Sequence, residues 1–129
     1  MGSRREIEAL PPEADLARAD SLAREIFSDV ASKWSLLIIE FLGLRTMRFN
    51  ELRREVGGIS HKVLTQNLRT LERNGLVERT VHPTVPPSVD YSLTEAGQAL
   101  RKVVDGMCDW TQTYLGHIEA SRTRFQQDS

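Results

Sequence analysis

The residues best suited to chemistry lie between positions 60 and 73, on a predicted helix whose leucines Leu64, Leu68 and Leu71 would face inward. The opposite face carries side chains that can reach base edges or phosphates: His61, Lys62, Thr65, Gln66, Arg69 and Arg73. Glutamine can pair with adenine and arginine with guanine, while basic residues further along a helix meet phosphates more readily. The pattern predicts contact with double-stranded DNA. A solvated face of a core helix is the alternative, disfavoured because Glu72 is the helix's only acid.

Further candidate contacts flank this helix. The proline-rich segment 82–88 is a predicted wing, a loop that lies along the DNA backbone or enters the minor groove. The helix N-terminus can donate a backbone N–H to a phosphate. The flanking candidates are Arg45, Arg48, Ser60, Arg79, His82 and Thr84. For any one of these arginines, a purely structural role is equally open.

Hydrophobic spacing predicts the elements that would position these residues. Apolar residues at helical spacing predict helices over 14–32 and 33–42, the second ended by Gly43. A short helix over 50–56, with Asn50 as its N-cap, would be joined through Gly57-Gly58 to the helix that Ser60 caps. Alternation predicts strands near 76–81 and 89–93, and a last helix runs from Thr94-Glu95 to about 119 or beyond.

This order predicts a mainly α fold with a small β-hairpin (α+β), a winged helix-turn-helix. We expect residues 1–13 to form a flexible arm, 14–120 a single domain with the recognition helix at 60–73, and 121–129 a tail.

The first and last helices each carry an apolar stripe that a small domain could not cover by itself. We expect both stripes to form a homodimer interface, with an intramolecular core helix as the alternative for the last helix. The expected interface residues are Leu16, Leu22, Ile26, Val103, Met107, Trp110 and Tyr114. Such a dimer would present two recognition helices about 34 Å apart and prefer a pseudo-palindromic site.

Composition and charge narrow the function classes. The net charge is −1, yet residues 45–85 carry eight basic and four acidic residues, which indicates an anionic partner; a solvated charge pattern is the equally open alternative. The histidines lack metal-ligand spacing and no phosphate-binding glycine loop is present, so neither an enzyme, a metal nor a cofactor is expected. No signal peptide or membrane span is evident, which predicts a cytoplasmic protein. Cys108 is expected to be a small buried residue without a redox role.

Several motifs together resemble the HxlR-type winged-helix regulators, relatives of the MarR-like regulators. They are Lys33-Trp34, Arg48-Phe49-Asn50-Glu51-Leu52, Gly58-Ile59-Ser60-His61-Lys62-Val63-Leu64, Gly75-Leu76-Val77-Glu78-Arg79 and Pro86-Pro87-Ser88-Val89-Asp90-Tyr91-Ser92-Leu93-Thr94. The resemblance implies a dimeric bacterial regulator of operator DNA, with terminal helices forming the dimer. Many members have a cysteine where this chain has Ser21, so a thiol switch of that kind is not expected here.

Two other interpretations stay open at the level of the sequence. One is a winged-helix module that binds protein and has no DNA target. The other adds an unknown small apolar effector between the recognition domain and the dimer helices, as the MarR-like resemblance suggests. Repression is the default expectation, because a dimer without an activation domain acts most simply by blocking polymerase.

Overall fold

The computed structural model describes residues 13–128 and confirms the winged helix-turn-helix order. The expected flexible arm lies almost wholly outside the described residues. The elements are α1 (Glu13–Val30), α2 (Lys33–Leu44), β1 (Met47–Arg48), α3 (Phe49–Val56), α4 (His61–Arg73), β2 (Val77–His82), β3 (Ser88–Leu93) and α5 (Glu95–Asp128).

The core lies where α2, α3 and α4 meet the sheet. Ile38, Ile39 and Leu42 project from α2 and are almost fully buried. Leu52 of α3 is also fully buried, as are the three leucines of α4 named above. The helix-turn-helix pair is therefore seated on α2, and its orientation is fixed by apolar packing.

The sheet has three antiparallel strands in the order β1-β3-β2. The hairpin β2–β3 pairs Val77 with Leu93 at its base and His82 with Ser88 at the loop. Strand β1 was not predicted, because two residues are too short to show alternation. It pairs Met47 with Tyr91 and so joins the start of α3 to the wing.

Some predicted helix boundaries are wrong. Helix α2 continues through Gly43 to Leu44. Asn50 does not cap α3: the N-cap is Arg48, whose backbone N–H donates to the Glu51 carboxylate at 3.1 Å. Ser32, predicted to end the first helix, caps α2 instead, because its hydroxyl accepts from the N–H of Ser35. Residues 121–128, expected to be a tail, continue α5.

Helix α5 is attached to the domain only near its N-terminus. The Thr94 hydroxyl accepts from the N–H of Gly97 at 3.0 Å and donates to the Gly75 carbonyl at 2.6 Å. Arg101 lies 3.4 Å from Glu40 and donates to the Gly43 carbonyl at 3.2 Å. From residue 106 to 128, only two positions on the helix are not exposed. Most of this helix therefore projects away from the rest of its own chain.

Candidate nucleic-acid interface

Helix α4 begins with a well-formed cap. The Ser60 hydroxyl accepts the backbone N–H of Val63 at 3.1 Å, as predicted, and satisfies one of the donors that a helix start leaves free. The turn before it needs left-handed backbone at two positions: Gly57 and Gly58 both have φ of 71°. Ile59, which follows, is buried. The N-terminal turn of α4 is therefore held against the domain by its flanking residues.

The outward face of α4 carries three polar side chains that are free to bind a ligand. Within residues 13–128, Lys62, Gln66 and Arg69 have no hydrogen-bond or ion-pair partner, and all three are exposed. They occur at successive turns of one helix, over leucines that are almost fully buried. A ligand of suitable shape would replace only water on these groups, so binding would break no internal contact.

The other α4 candidates are partly committed to their own chain. The Thr65 hydroxyl donates to the His61 carbonyl at 2.8 Å, so its oxygen retains only acceptor capacity. The His61 ring packs against Phe49 with centroids 4.6 Å apart. Arg73 donates to the Asp29 carboxylate at 3.2 Å. These side chains lie on the predicted face, but their orientation is set by neighbouring elements.

Asp90, on the central strand, organises the base of the wing. Its Oδ2 lies 2.8 Å from Nε2 of His82, and its Oδ1 lies 3.7 Å from Nε of Arg48. Because a carboxylate only accepts, the His82 nitrogen facing it carries the proton. At the loop, the Thr84 hydroxyl donates to the Pro86 carbonyl at 2.8 Å. The wing is therefore ordered by internal bonds, and Arg48 and His82 are oriented by one carboxylate.

Acidic side chains balance much of the remaining basic charge on this surface. Arg79 lies 3.5 Å from Glu72, and Arg45 lies 3.2 Å from Glu51. The backbone N–H of Arg48 and, after it, the Arg45 side chain hold the pKa of Glu51 below its ordinary value. Arg45 and Arg79 therefore contribute less free positive charge than the sequence suggests.

The sequence analysis missed two residues of this surface, Asn50 and Arg54. Both line a groove that runs from α3 to residues 87–89, where the wing joins β3, and both also line the concavity beside the turn at 57–60. Arg54 has no partner within residues 13–128, whereas its neighbour Arg53 donates to the Ile59 carbonyl at 3.1 Å. In the sequence, Arg54 lies between Glu51 and Glu55 on a short helix, which by itself indicates only a surface charge pattern. Its position between wing and turn depends on how α3 packs, which spacing alone does not show.

The predicted interface residues are largely exposed on the single chain. On α1 these are Leu16 and Leu22, and on α5 they are Val103, Met107, Trp110 and Tyr114. Ile26 differs, because it is half-buried and packs against the chain's own core. Trp110 and Tyr114 lie with ring centroids 5.7 Å apart beside a mostly apolar concavity that extends to Arg122.

Three observations concern features outside this surface. Cys108 was expected to be buried, but it is exposed on the part of α5 that projects from the domain. Among residues 13–128 there is no group of three or more His, Cys, Asp or Glu side chains that could hold a metal ion. None of the described helices is both long and apolar enough to cross a membrane.

Comparison with known proteins identifies relatives of this arrangement. A family model described as "HxlR-like helix-turn-helix" matches residues 29–119. The HTH-type transcriptional regulator YtfH of Escherichia coli K12 is 39% identical over 110 residues, covering 85% of this chain and 87% of that protein. Among solved structures, the transcriptional regulator ytfH of Salmonella typhimurium is 41% identical with a TM-score of 0.65, covering 78% of this chain and 89% of that one. A MarR-family regulator of Enterococcus faecalis V583 is 31% identical with a TM-score of 0.67, covering 87% and 96%.

Proposed function

The chain belongs to the HxlR-like helix-turn-helix family of transcriptional regulators, and we propose that it binds a pseudo-palindromic operator as a homodimer and represses transcription there. Helix α4 would enter the major groove, with Lys62 and Gln66 near the bases and Arg69 near the backbone. A dimer seated on an operator represses by occupying the site that polymerase needs. Since its ligand would be the chromosome, the proposal includes a cytoplasmic location.

The observation that carries the proposal is the free polar face of α4. Three exposed side chains without partners within residues 13–128 lie on a capped helix over buried leucines. Groups that already have internal partners would lose them on binding, whereas these would not. The contacts proposed beside them are those expected from the sequence, with Asn50 and Arg54 added on the groove between α3 and the wing.

The exposed apolar faces of α1 and α5 support the dimer. Trp110 is 52% exposed and Met107 is 59% exposed on a helix that projects from the domain. Large apolar side chains grouped in this way on a single chain are typical of interaction surfaces. A second copy is the occupant that supplies the same two faces, and an ordinary interface buries about 800 Å² per partner.

Selection of DNA fragments by the purified protein tests the proposal. Random duplexes retained by the protein should converge on a sequence with two inverted half-sites. An electrophoretic shift with the selected duplex should weaken steeply as salt increases. Sedimentation of the free protein should give the mass of a dimer.

Matched variants exclude nonspecific attraction. Arg69→Ala should weaken the shift, whereas Lys102→Ala removes the same charge from α5 and should leave it unchanged. A protein that selects no sequence, and whose weak shift is the same in both variants, contradicts the proposal. That outcome would favour a winged-helix module that binds protein.

A further inference from the structure

A hydrogen-bonded network joins the end of the recognition helix α4 to the last turn of α1, and the middle of α4 to α2. Within it, one carboxylate oxygen of Asp29 accepts from Arg73 at 3.2 Å and from the amide of Asn74 at 3.0 Å. Two separate side chains at the C-terminal end of α4 are therefore tied to one residue in the last turn of α1.

The second part of the network is buried. The hydroxyl of Ser35, a residue of α2 that is only 1% exposed, donates to Oδ1 of Asn67 at 2.8 Å and so ties α4 to α2. A hydroxyl has one proton, so its 3.4 Å approach to the Asp29 carbonyl is the weaker contact. Asn67 also donates to the Val63 carbonyl of its own helix at 2.8 Å, which orients Oδ1 toward Ser35. The amide of Asn67 is thus fixed at both ends.

Few other contacts hold helix α1 against the rest of the domain. Of residues 13–25, only Asp15 is not exposed, and the apolar contact with the core comes from Ile26 and Val30. The helix has 18 residues, so at 1.5 Å per residue it extends about 27 Å from this joint. A rotation of about 10° at the joint moves the far end of such a helix by about 5 Å. The direction of α1 relative to α4 therefore depends on a small number of contacts.

We propose that Asp29 is a positioning residue that locks α4 to α1, so that α1 sets the separation of the two recognition helices in the dimer, whereas Asn67 holds α4 against α2. The inference rests on the proposed function, because it needs two copies on one duplex. Asp29 does not need to touch DNA, because it acts through α4. The exposed apolar face of α1 and the polar face of α4, which carries Lys62, Gln66 and Arg69, are then parts of one rigid unit.

The first test measures the separation directly and without DNA. A spin label is attached to the cysteine of a Gln66→Cys, Cys108→Ala variant. Pulsed electron paramagnetic resonance then measures the distance between the labels on the two copies of α4. Asp29→Ala should broaden the distribution or shift it by several ångströms. The matched control is Asp20→Ala, which removes a carboxylate paired only within α1, with Arg24 at 3.3 Å, and it should leave the distribution unchanged.

The second test uses duplexes carrying two copies of the selected half-site, with their separation varied one base pair at a time. The wild type should prefer one separation. Asp29→Ala should reduce that preference at least fivefold while changing affinity for a single half-site less than twofold. Asn67→Ala removes the bond to α2 and leaves the bonds of Asp29 in place, so a folded Asn67→Ala variant should keep more of the spacing preference than Asp29→Ala does.

The outcomes separate this inference from the proposed function. A chain that stays monomeric, or that binds none of the duplexes, refutes the proposed function and this inference with it. A dimer that binds DNA, but whose label distances and spacing preference are the same with and without Asp29, refutes only the positioning role. A loss of affinity that is equal on one and two half-sites also refutes it, because that is the result of a general loss of stability.

Discussion

Gln66 and Arg69 lie one turn apart on the same free face, yet we expect their replacement by alanine to have different consequences. Gln66 lies in the second turn of α4, where a glutamine reaches base edges, so Gln66→Ala should lower discrimination between the selected site and single-base substitutions. The loss should be about 1–3 kcal/mol at the contacted base pair. Arg69 lies further back and should contact phosphate, so Arg69→Ala should weaken binding to all duplexes alike.

The salt dependence gives the magnitude for Arg69. One lost phosphate contact lowers the slope of log K against log salt by about 0.9, hence by about 1.8 for the two copies in a dimer. Between roughly 50 and 200 mM salt, a slope difference of that size shrinks the variant's defect about tenfold. Gln66→Ala should leave the slope unchanged. Because neither side chain has a partner within residues 13–128, both variants should unfold at the wild-type temperature.

Fluorescence anisotropy of labelled duplexes over a salt series measures both effects. The cognate duplex and a set of single-base substitutions are titrated with each variant, and Lys102→Ala serves as the charge control. An Arg69→Ala slope equal to the wild-type slope would refute the phosphate assignment. A Gln66→Ala variant that keeps full base discrimination would refute the reading role of the second turn.

Three further predictions concern stability and assembly. A Cβ on Gly97 would lie 2.2 Å from the Leu76 carbonyl oxygen, so Gly97→Ala should lower the free energy of unfolding in urea by about 1–3 kcal/mol. Gly106→Ala, with nothing within 4 Å, should be neutral or stabilising, and equal effects would contradict the packing argument. Glu51 has a lowered pKa in the folded chain, so its stabilising effect is present above pH 4.5 and is lost as the pH falls through the folded value. As the pH is lowered, the free energy of unfolding should therefore fall less in Glu51→Gln than in the wild type. An identical pH profile in the two proteins would contradict the assignment. Trp110→Ala should weaken dimerisation by about 2 kcal/mol or more in sedimentation equilibrium, and an unchanged dissociation constant would place the interface elsewhere.

Much of the fold could be predicted from the sequence, because helix caps and hydrophobic periodicity depend on residues that are close together in the chain. Ser60 caps α4 as its hydroxyl and position predict, and the leucines below the polar face are buried because a 3.6-residue period leaves them no other side. The errors at Gly43 and Asn50 have the same kind of cause. Each residue is suited to ending or capping a helix, but tertiary contacts decided otherwise: Arg101 packs over Gly43, and Glu51 bonds to the backbone of Arg48.

The pairing of charges could not be predicted from the sequence, and it changes the interpretation of the site. Arginines at 48, 69, 73 and 79 look equivalent by type, yet of these four only Arg69 lacks a carboxylate partner among the described residues. The partners lie on other elements, with 44 residues separating Asp29 from Arg73. Residue spacing carries no information about such contacts. The fold leaves Arg69 without a carboxylate partner in the described chain and ties Arg73 to Asp29 of α1, so the two arginines, one turn apart, are predicted to differ: Arg69 is expected to contact phosphate, and Arg73 is expected to act through α1.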